Sequence, residues 1–357
     1  MLQDALPCRQ GYFPGHLQTA PEPDIQMDKD GSPAPADYSE LLPDILLNAI
    51  DSCGLQTDGR LLALNSYENR VYQAGIESGT PVIAKFYRPG RWTDAAILEE
   101  HTFSLELVNQ ELPVVAPMEI NATTLQHYRG FRFAVYPRQG GYWPELDTQQ
   151  ARQWTGRVIA RMHAVGAAGK FRHRPGLDID SHGHQSRRFL LEQNFIPAHL
   201  ETAYRTLSDD LLQQITDIFS GAGNIRRIRI HGDCHAGNIL WTEAGPHFVD
   251  LDDCRTGPAI QDLWMLISGE QHEMQAQLAD IIEGYQQFFD LDFRELRLIE
   301  PLRTLRIMHY AAWLARRWSD PAFPRAFPWF NTSRYWEEHI LALREQAALL
   351  NEAPLVI

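Results

Sequence analysis

The stretch IRIHGDCHAGNILW, residues 228–241, is followed by the carboxylate run DLDD at 250–253. Asp233 and Asn238 lie five residues apart, so both can reach one point from a single tight loop, with Gly237 letting the backbone approach. Carboxylates are costly beside apolar strands unless a cation or a donor pairs with them. Phosphoryl transfer needs such a set: a carboxylate that orients a hydroxyl and accepts its proton, and oxygen ligands that hold Mg²⁺ across a polyphosphate. Asp233 suits the first role. Asn238 supplies a neutral carbonyl ligand, and Asp250 arrives at the same ion from the next strand of a hairpin. The alternation in FVDLDD puts Asp250 and Asp252 on one face, opposite Val249 and Leu251. A solvated turn would explain any one of these residues, but not their joint spacing.

A second charge sits where it should be expensive. Lys85 lies in VIAKFY, an apolar strand in which a bare ammonium needs a partner. A strand lysine of this kind contacts the α- and β-phosphates in kinases and pairs with a glutamate of the next helix. That helix, TDAAILEEHTFSLELVNQEL, offers Glu99 and Glu100. At 100° per residue, Ile97, Leu98, His101, Leu105, Val108 and Leu112 form one apolar stripe. Glu100 flanks the stripe while Glu99 points away from it, so Glu100 is the expected partner of Lys85.

The elements that must carry these residues follow from periodicity and punctuation. DYSELLPDILLNAIDSCG reads as a helix stopped at Gly54, and LLALNSYENRVYQAGI with TPVIAKFYRP as strands around a turn. TTLQHYRGFRFAVYP adds a strand, a turn and a strand, and RQGGYW supplies a Gly-Gly break suited to a hinge. From Thr148 the pattern is mostly helical, in TQQARQWTGRVIARMHAVG, EMQAQLADIIEGYQQFF and two segments divided near Pro301. The strand IRRIRIHG and the hairpin NILWTEAGPHFVDLDD interrupt it. The expected organisation is a Pro-rich flexible extension over 1–36, a small β-rich lobe over 37–138 and a larger, mainly helical lobe over 139–357, an α+β fold. The extension holds six prolines and little periodicity.

Bulk properties narrow the partners. Of 357 residues, 44% are hydrophobic, which suits a large core, yet no apolar run reaches the roughly 20 residues that span a bilayer. A net charge of −14 disfavours nucleic acid and anionic membranes, although one lysine and a metal ion still admit ATP. The N-terminus lacks a signal-peptide pattern. Cys8, Cys53, Cys234 and Cys254 are scattered without a CxxC, as in a reducing, cytoplasmic compartment. Cys234 reads as a space-filler, not a nucleophile. His163, His173, His182 and His184 read as structural residues, and Arg316 and Arg317 as possible aids to an anionic partner entering the cleft.

HGDCHAGNILW with VDLDD and GPAIQDLWML resembles the aminoglycoside phosphotransferase and choline kinase group, which shares the bilobal protein-kinase-like fold. LNSYENRVYQ, AKFYRPGRWTDAAILEEH, LARRW and DPAFPRAFPW extend the likeness to bacterial protein Ser/Thr kinases of that group, from about Asp37 nearly to the C-terminus. The resemblance implies that Asp233 is the catalytic base, with Asp250 counted beside it, that Asn238 and Asp250 bind Mg²⁺, that Lys85 contacts phosphate and that Ser66 approaches ATP. Asp262 matches a buried aspartate that holds the catalytic loop through backbone N–H groups, and Asp252 lies near enough to assist. The sequence departs from kinases in lacking G-x-G-x-x-G, which NSYENR replaces. It also lacks the Arg of H-R-D, and the eleven residues 251–261 leave no room for a long activation segment.

The expected function is an ATP- and Mg²⁺-dependent protein serine/threonine kinase, autophosphorylating, monomeric and active in stress response. A small-molecule phosphotransferase of the same fold is the alternative, and a non-catalytic nucleotide-binding scaffold is a third.

Overall fold

The computed structural model describes residues 37–357; the Pro-rich extension expected over 1–36 lies outside them. Helix α1 (Pro43–Asp51) starts with proline in its first turn and stops before Gly54, whose φ of 82° suits only glycine. Strands β1 (Thr57–Ala63), β2 (Arg70–Ile76) and β3 (Val82–Phe86) precede α2 (Asp94–Asn109), with β4 (Gln126–Tyr128) and β5 (Phe131–Pro137) after it. They form one antiparallel sheet in the order β1-β2-β3-β5-β4, with Lys85 opposite Val71 and Ala134.

The pleat of β3 decides what Lys85 meets. Val82, Ala84 and Phe86 point to the face covered by Leu46, Ala49 and Ile50 of α1, where Phe86 stacks on Phe133 at 5.0 Å. Lys85 and Tyr87 therefore point to the opposite face, where Tyr87 packs with Ile97 of α2 and Ala134 of β5.

Helix α2 departs from the expected stripe. Leu98 and Val108 are exposed, while Ala96, Ile97, Glu100, His101, Phe103, Ser104 and Leu107 are buried. The helix is covered from two sides: Ile97 lies under the sheet, and Phe103 and Leu107 join the core of the second lobe. An apolar wheel locates one face, and here the space between the two carries polar side chains that satisfy one another. His101 bridges the Tyr87 hydroxyl (2.6 Å) and Thr124 (2.7 Å).

The second lobe begins with α3 (Gln149–Ala168), followed by α4 (Gln185–Glu192) and α5 (Ala198–Gly221). Strand β6 (Ile228–Ile230), the hairpin β7 (Ile239–Thr242) and β8 (Gly245–Phe248), strand β9 (Arg255–Gly257) and the short α6 (Ile260–Trp264) come next. Helices α7 (Gln271–Tyr285), α8 (Ile299–Arg316), α9 (Ala322–Ala326) and α10 (Ser333–Leu349) complete the chain, with the expected break before α8 at Leu298. Helices α3 and α7 lie close: a Cβ on Gly156 would sit 2.1 Å from the Ile281 carbonyl oxygen. One core gathers α3, α6, α7 and the short strands; another gathers α4, α5, α8 and α10 around Trp336. No described helix is long and apolar enough to cross a membrane.

Candidate active site

Strand β6 ends at Ile230, and its pairing with β9 holds the start of the HGDCHAGN loop. Below the loop Asp262, in the first turn of α6, accepts the His231 N–H at 2.7 Å and the Gly232 N–H at 2.8 Å. His163 of α3 donates to the same carboxylate at 3.0 Å, and its other ring nitrogen meets the Tyr285 hydroxyl of α7 at 2.7 Å. His163 is thus a support of the loop, not a metal ligand. Gly232 has φ 83°, and a Cβ there would lie 2.3 Å from the Asp253 carbonyl oxygen, so the turn admits only glycine. The His231 ring accepts the Asp233 N–H at 3.4 Å and faces the Val249 carbonyl at 3.0 Å through its other nitrogen, which makes that nitrogen the donor.

Asp233 emerges from this held backbone. Asn238 donates through Nδ2 to its carbonyl at 2.9 Å and to Oδ2 at 3.4 Å. His235 Nε2 stands 3.5 Å from Oδ2, and its Nδ1 accepts the Gly237 N–H at 3.0 Å, so Gly237 makes room for that ring. Oδ1 is buried without a hydrogen-bond partner, although Arg306 of α8 brings Nη1 to 2.7 Å. Burial works to raise the Asp233 pKa, but Arg306 and His235 outweigh it and hold the carboxyl well below its usual range. Cys234 beside it is buried and its thiol is pushed far up by burial, so it is no thiolate nucleophile.

Asp250 and Asp252 reach a common partner by a route other than strand alternation. Strand β8 stops at Phe248, Asp250 takes a left-handed φ of 58°, and Leu251–Asp253 is a 3₁₀ turn with Leu251 buried. Lys85 Nζ meets Asp250 at 2.9 Å, Asp252 at 3.4 Å and Glu100 at 3.5 Å. Burial alone would lower the lysine pKa, and these three carboxylates outweigh it and raise it well above the ordinary value. Glu100 itself is pushed up to about 7 by burial, because Asp250 and Asp252 already match the ammonium. Glu99 is used elsewhere, accepting the backbone N–H groups of Arg172, His173 and Arg174 at 2.7, 2.7 and 2.9 Å.

Several partners in this region carried no motif. Arg91 pairs with Asp252 and, at 2.8 Å, with Asp253, tying the segment after β3 to the turn of the second lobe. Burial favours the neutral acid at Asp252, yet Arg91 and Lys85 prevail and lower its pKa. Asn69 also donates to Asp252 at 3.0 Å. Its neighbour Glu68 receives Trp313 Nε1 at 2.5 Å and Arg317 at 2.6 Å from α8 and its end, and Arg88 at 2.9 Å. Asp320 binds Arg88 at 3.0 Å and Arg70 at 3.3 Å. Arg317 therefore clasps the NSYENR loop, whereas Arg316 is exposed and lies over the Phe189 ring at 5.1 Å. Ser66 is half-buried in that loop and takes no part in the Lys85 cluster.

The donor chemistry suits Mg²⁺. Asn238 and Asp250 offer hard oxygens, and magnesium characteristically takes one or two carboxylates while substrate phosphates and water complete its octahedron. No group of three or more His, Cys, Asp or Glu among the described residues could hold a metal by itself. His182, one of the loop histidines, is buried against Arg255 at 2.8 Å.

The model of the phosphotransferase enzyme family matches residues 60–299. Stress response kinase A of Escherichia coli O157:H7 is 46% identical over 318 residues, covering 89% of this chain and 96% of that protein. Serine/threonine protein kinase RdoA of Salmonella typhimurium is 42% identical over 318 residues, with the same 89% and 96% coverage. Among solved structures, amicoumacin kinase hAmiN in complex with AMP-PNP, Ca²⁺ and Ami aligns with a TM-score of 0.67 at 19% identity, over 88% of this chain and 95% of that one. That likeness is one of fold.

Proposed function

Because this chain belongs to the phosphotransferase enzyme family, we propose that it is an ATP- and Mg²⁺-dependent protein kinase acting on serine and threonine, its own included. The observation that carries the reading is the Asp233 carboxylate, which follows the two residues whose backbone Asp262 holds and whose Oδ1 is paired with Arg306 at 2.7 Å. A carboxylate so placed can accept a hydrogen bond from a hydroxyl nucleophile and orient it.

In the proposed mechanism a serine or threonine hydroxyl donates to Asp233 Oδ1. The carboxylate takes the proton as the hydroxyl oxygen attacks the γ-phosphorus in line, the bond to the β–γ bridging oxygen breaks, and ADP leaves. Lys85 exchanges Asp250 for phosphate oxygens, and Glu100 keeps its ammonium aimed. Ser66 and the backbone of its loop cover the phosphates. Asn238 and Asp250 would hold Mg²⁺, which when bound would supply positive charge to offset that of the transferring phosphoryl group.

Two findings support a protein acceptor over a small cationic one. The relatives named as stress response or serine/threonine kinases align over 96% of their length, and their names extend the proposal to a role in stress response. Arg306 also places a guanidinium where the acceptor must approach, which suits a polycationic antibiotic poorly. The proposal includes a monomeric, cytoplasmic enzyme, in keeping with free Cys53, Cys234 and Cys254. A net charge of −14 speaks against nucleic acid or membrane as partner.

The experiment is transfer of labelled phosphate from ATP with Mg²⁺, comparing the wild type with Asp233→Asn. Each is incubated alone, with a generic protein acceptor and with a panel of aminoglycosides, choline and homoserine. Label on serine or threonine, lost in the variant while ATP still binds, supports the reading. Label on small molecules alone replaces it with the small-molecule phosphotransferase, and turnover retained by Asp233→Asn removes Asp233 as the base.

A further inference from the structure

The loop that stands in place of a glycine-rich motif is gripped from the other lobe. Consecutive residues of NSYENR each meet a partner there. Tyr67 packs on Phe327 with ring centres 4.7 Å apart. Glu68 receives Trp313 Nε1 at 2.5 Å and Arg317 at 2.6 Å, Asn69 donates to Asp252 at 3.0 Å, and Arg70 pairs with Asp320 at 3.3 Å. Ser66 directly precedes this run.

Resting on the reading of this loop as the cover of the ATP phosphates, we propose that Trp313, Arg317 and Asp320 are its positioning residues: they hold the loop over the cleft from the second lobe, and a nucleotide leaves only when that grip opens.

Each gripping group is itself fixed. The Trp313 ring stacks on Tyr310 at 5.6 Å and meets Phe323 edge-on at 5.1 Å, so packing aims its N–H at Glu68. Arg317 follows one turn later on the same side of α8. Asp320 accepts the Ala322 N–H at 3.0 Å, which anchors its carboxylate at the start of α9. Arg88 joins the two points of grip, pairing with Glu68 at 2.9 Å and with Asp320 at 3.0 Å. Glu68, Arg317 and Asp320 are only 14%, 15% and 16% exposed, so salt screens these pairs weakly.

The grip gives a use to two stretches that neither the base nor the metal ligands need. Trp313 and Arg317 belong to WLARRW, and Asp320, Phe323 and Phe327 to DPAFPRAFPW. Both lie beyond residues 60–299, the part of the chain that the family model matches. An untethered loop loses conformational entropy each time it closes on a nucleotide. A loop already held in place avoids that cost, and its opening becomes the barrier to release.

The test follows release of a fluorescent ADP, N-methylanthraniloyl-ADP, by stopped flow with Mg²⁺ and a chase of excess ATP. Wild type is compared with Glu68→Gln, Trp313→Phe, Asp320→Asn and the double variant Glu68→Gln/Trp313→Phe. Trp313→Phe keeps an aromatic ring in place and removes the N–H. Each single substitution should speed release about tenfold, the scale of one hydrogen bond to a charged group. The double variant should gain little over Glu68→Gln, since both substitutions break the same contact. KM for ATP should rise more than kcat falls, a split that mere loss of folded enzyme would not produce. In the nucleotide-free protein, amides 66–70 should exchange hydrogen faster in Trp313→Phe than in wild type. Release within about twofold of wild type in every single variant overturns the proposal, as does a double variant equal to the product of its singles. Unchanged exchange at 66–70 overturns it even if the wild type binds no adenine nucleotide. Absence of nucleotide binding refutes the kinase reading instead, so the two failures are distinct.

Discussion

Replacing Asp262 with asparagine keeps the shape of the side chain and removes its ability to accept at both ends. Oδ1 receives the Gly232 N–H at 2.8 Å, and Oδ2 receives the His231 N–H at 2.7 Å and His163 Nε2 at 3.0 Å. In either orientation the amide must turn its NH₂ toward at least one buried N–H. A buried donor left unpaired costs about 1–3 kcal/mol, and the surviving bonds lose the strengthening of a charged acceptor. Asp262→Asn should therefore destabilise by about 2–4 kcal/mol and Asp262→Ala, which orphans all three donors, by about 3–5 kcal/mol. At roughly 2 °C per kcal/mol for a large chain, both melting temperatures should fall by several degrees. Phosphate transfer should drop about a hundredfold, because Asp233 follows the two residues that come loose. ATP binding, measured by calorimetry, should change little, because Lys85 and Asp250 are held by other elements. An asparagine variant that melts within about 1 °C of wild type and retains its rate would refute the claim that this carboxylate holds the loop.

Three further perturbations probe the surroundings of the site. Gly232→Ala should cost about 1–2 kcal/mol for the left-handed backbone and more for the Cβ 2.3 Å from the Asp253 oxygen; a lower urea midpoint at unchanged slope checks it. Glu100 has its pKa raised from 4.5 to about 7, so the folded state binds the extra proton between those values. Its contribution to stability is present below about pH 4.5 and fades as pH rises through 7, by about 3 kcal/mol at 1.36 kcal/mol per unit. Glu100→Gln should remove that slope in urea unfolding at a series of pH values, and a pH-independent difference from wild type would contradict it. Glu68→Gln should loosen the clasp of Trp313 and Arg317 on the NSYENR loop. Hydrogen exchange of amides 66–70 should then quicken by about tenfold or more, equivalent to at least about 1.4 kcal/mol of local stability.

The two-lobed architecture was legible in the chain because each cue is local. Apolar runs bounded by Gly54, Gly130 and the Gly140–Gly141 pair announce strands and helices from their own neighbours. The face of α2 was misread for the complementary reason. Leu98 and Val108 extend an apolar stripe on the wheel, but the burial of Glu100, His101 and Ser104 depends on a sheet and a second core lying to either side. FVDLDD likewise alternates as a strand would. The left-handed turn at Asp250 brings both carboxylates to Lys85 instead, a conformation that no period-two pattern encodes.

By itself the sequence determined which residues could do chemistry: Asp233 and Asn238 on one loop, Asp250 just beyond a hairpin, and Lys85 stranded among apolar neighbours. These are short-range facts, since spacing along the chain limits what a single turn can bring together. Tertiary structure alone decided how those groups are held. His163 and Asp262 meet across 99 residues, Arg91 and Asp252 across 161, and Trp313 and Glu68 across 245. Arg306 reaches Asp233 from a helix with no local link to the loop. Such pairings arise because a buried charge or N–H must find a partner wherever the packed lobes supply one. No periodicity in the sequence announces where that will be.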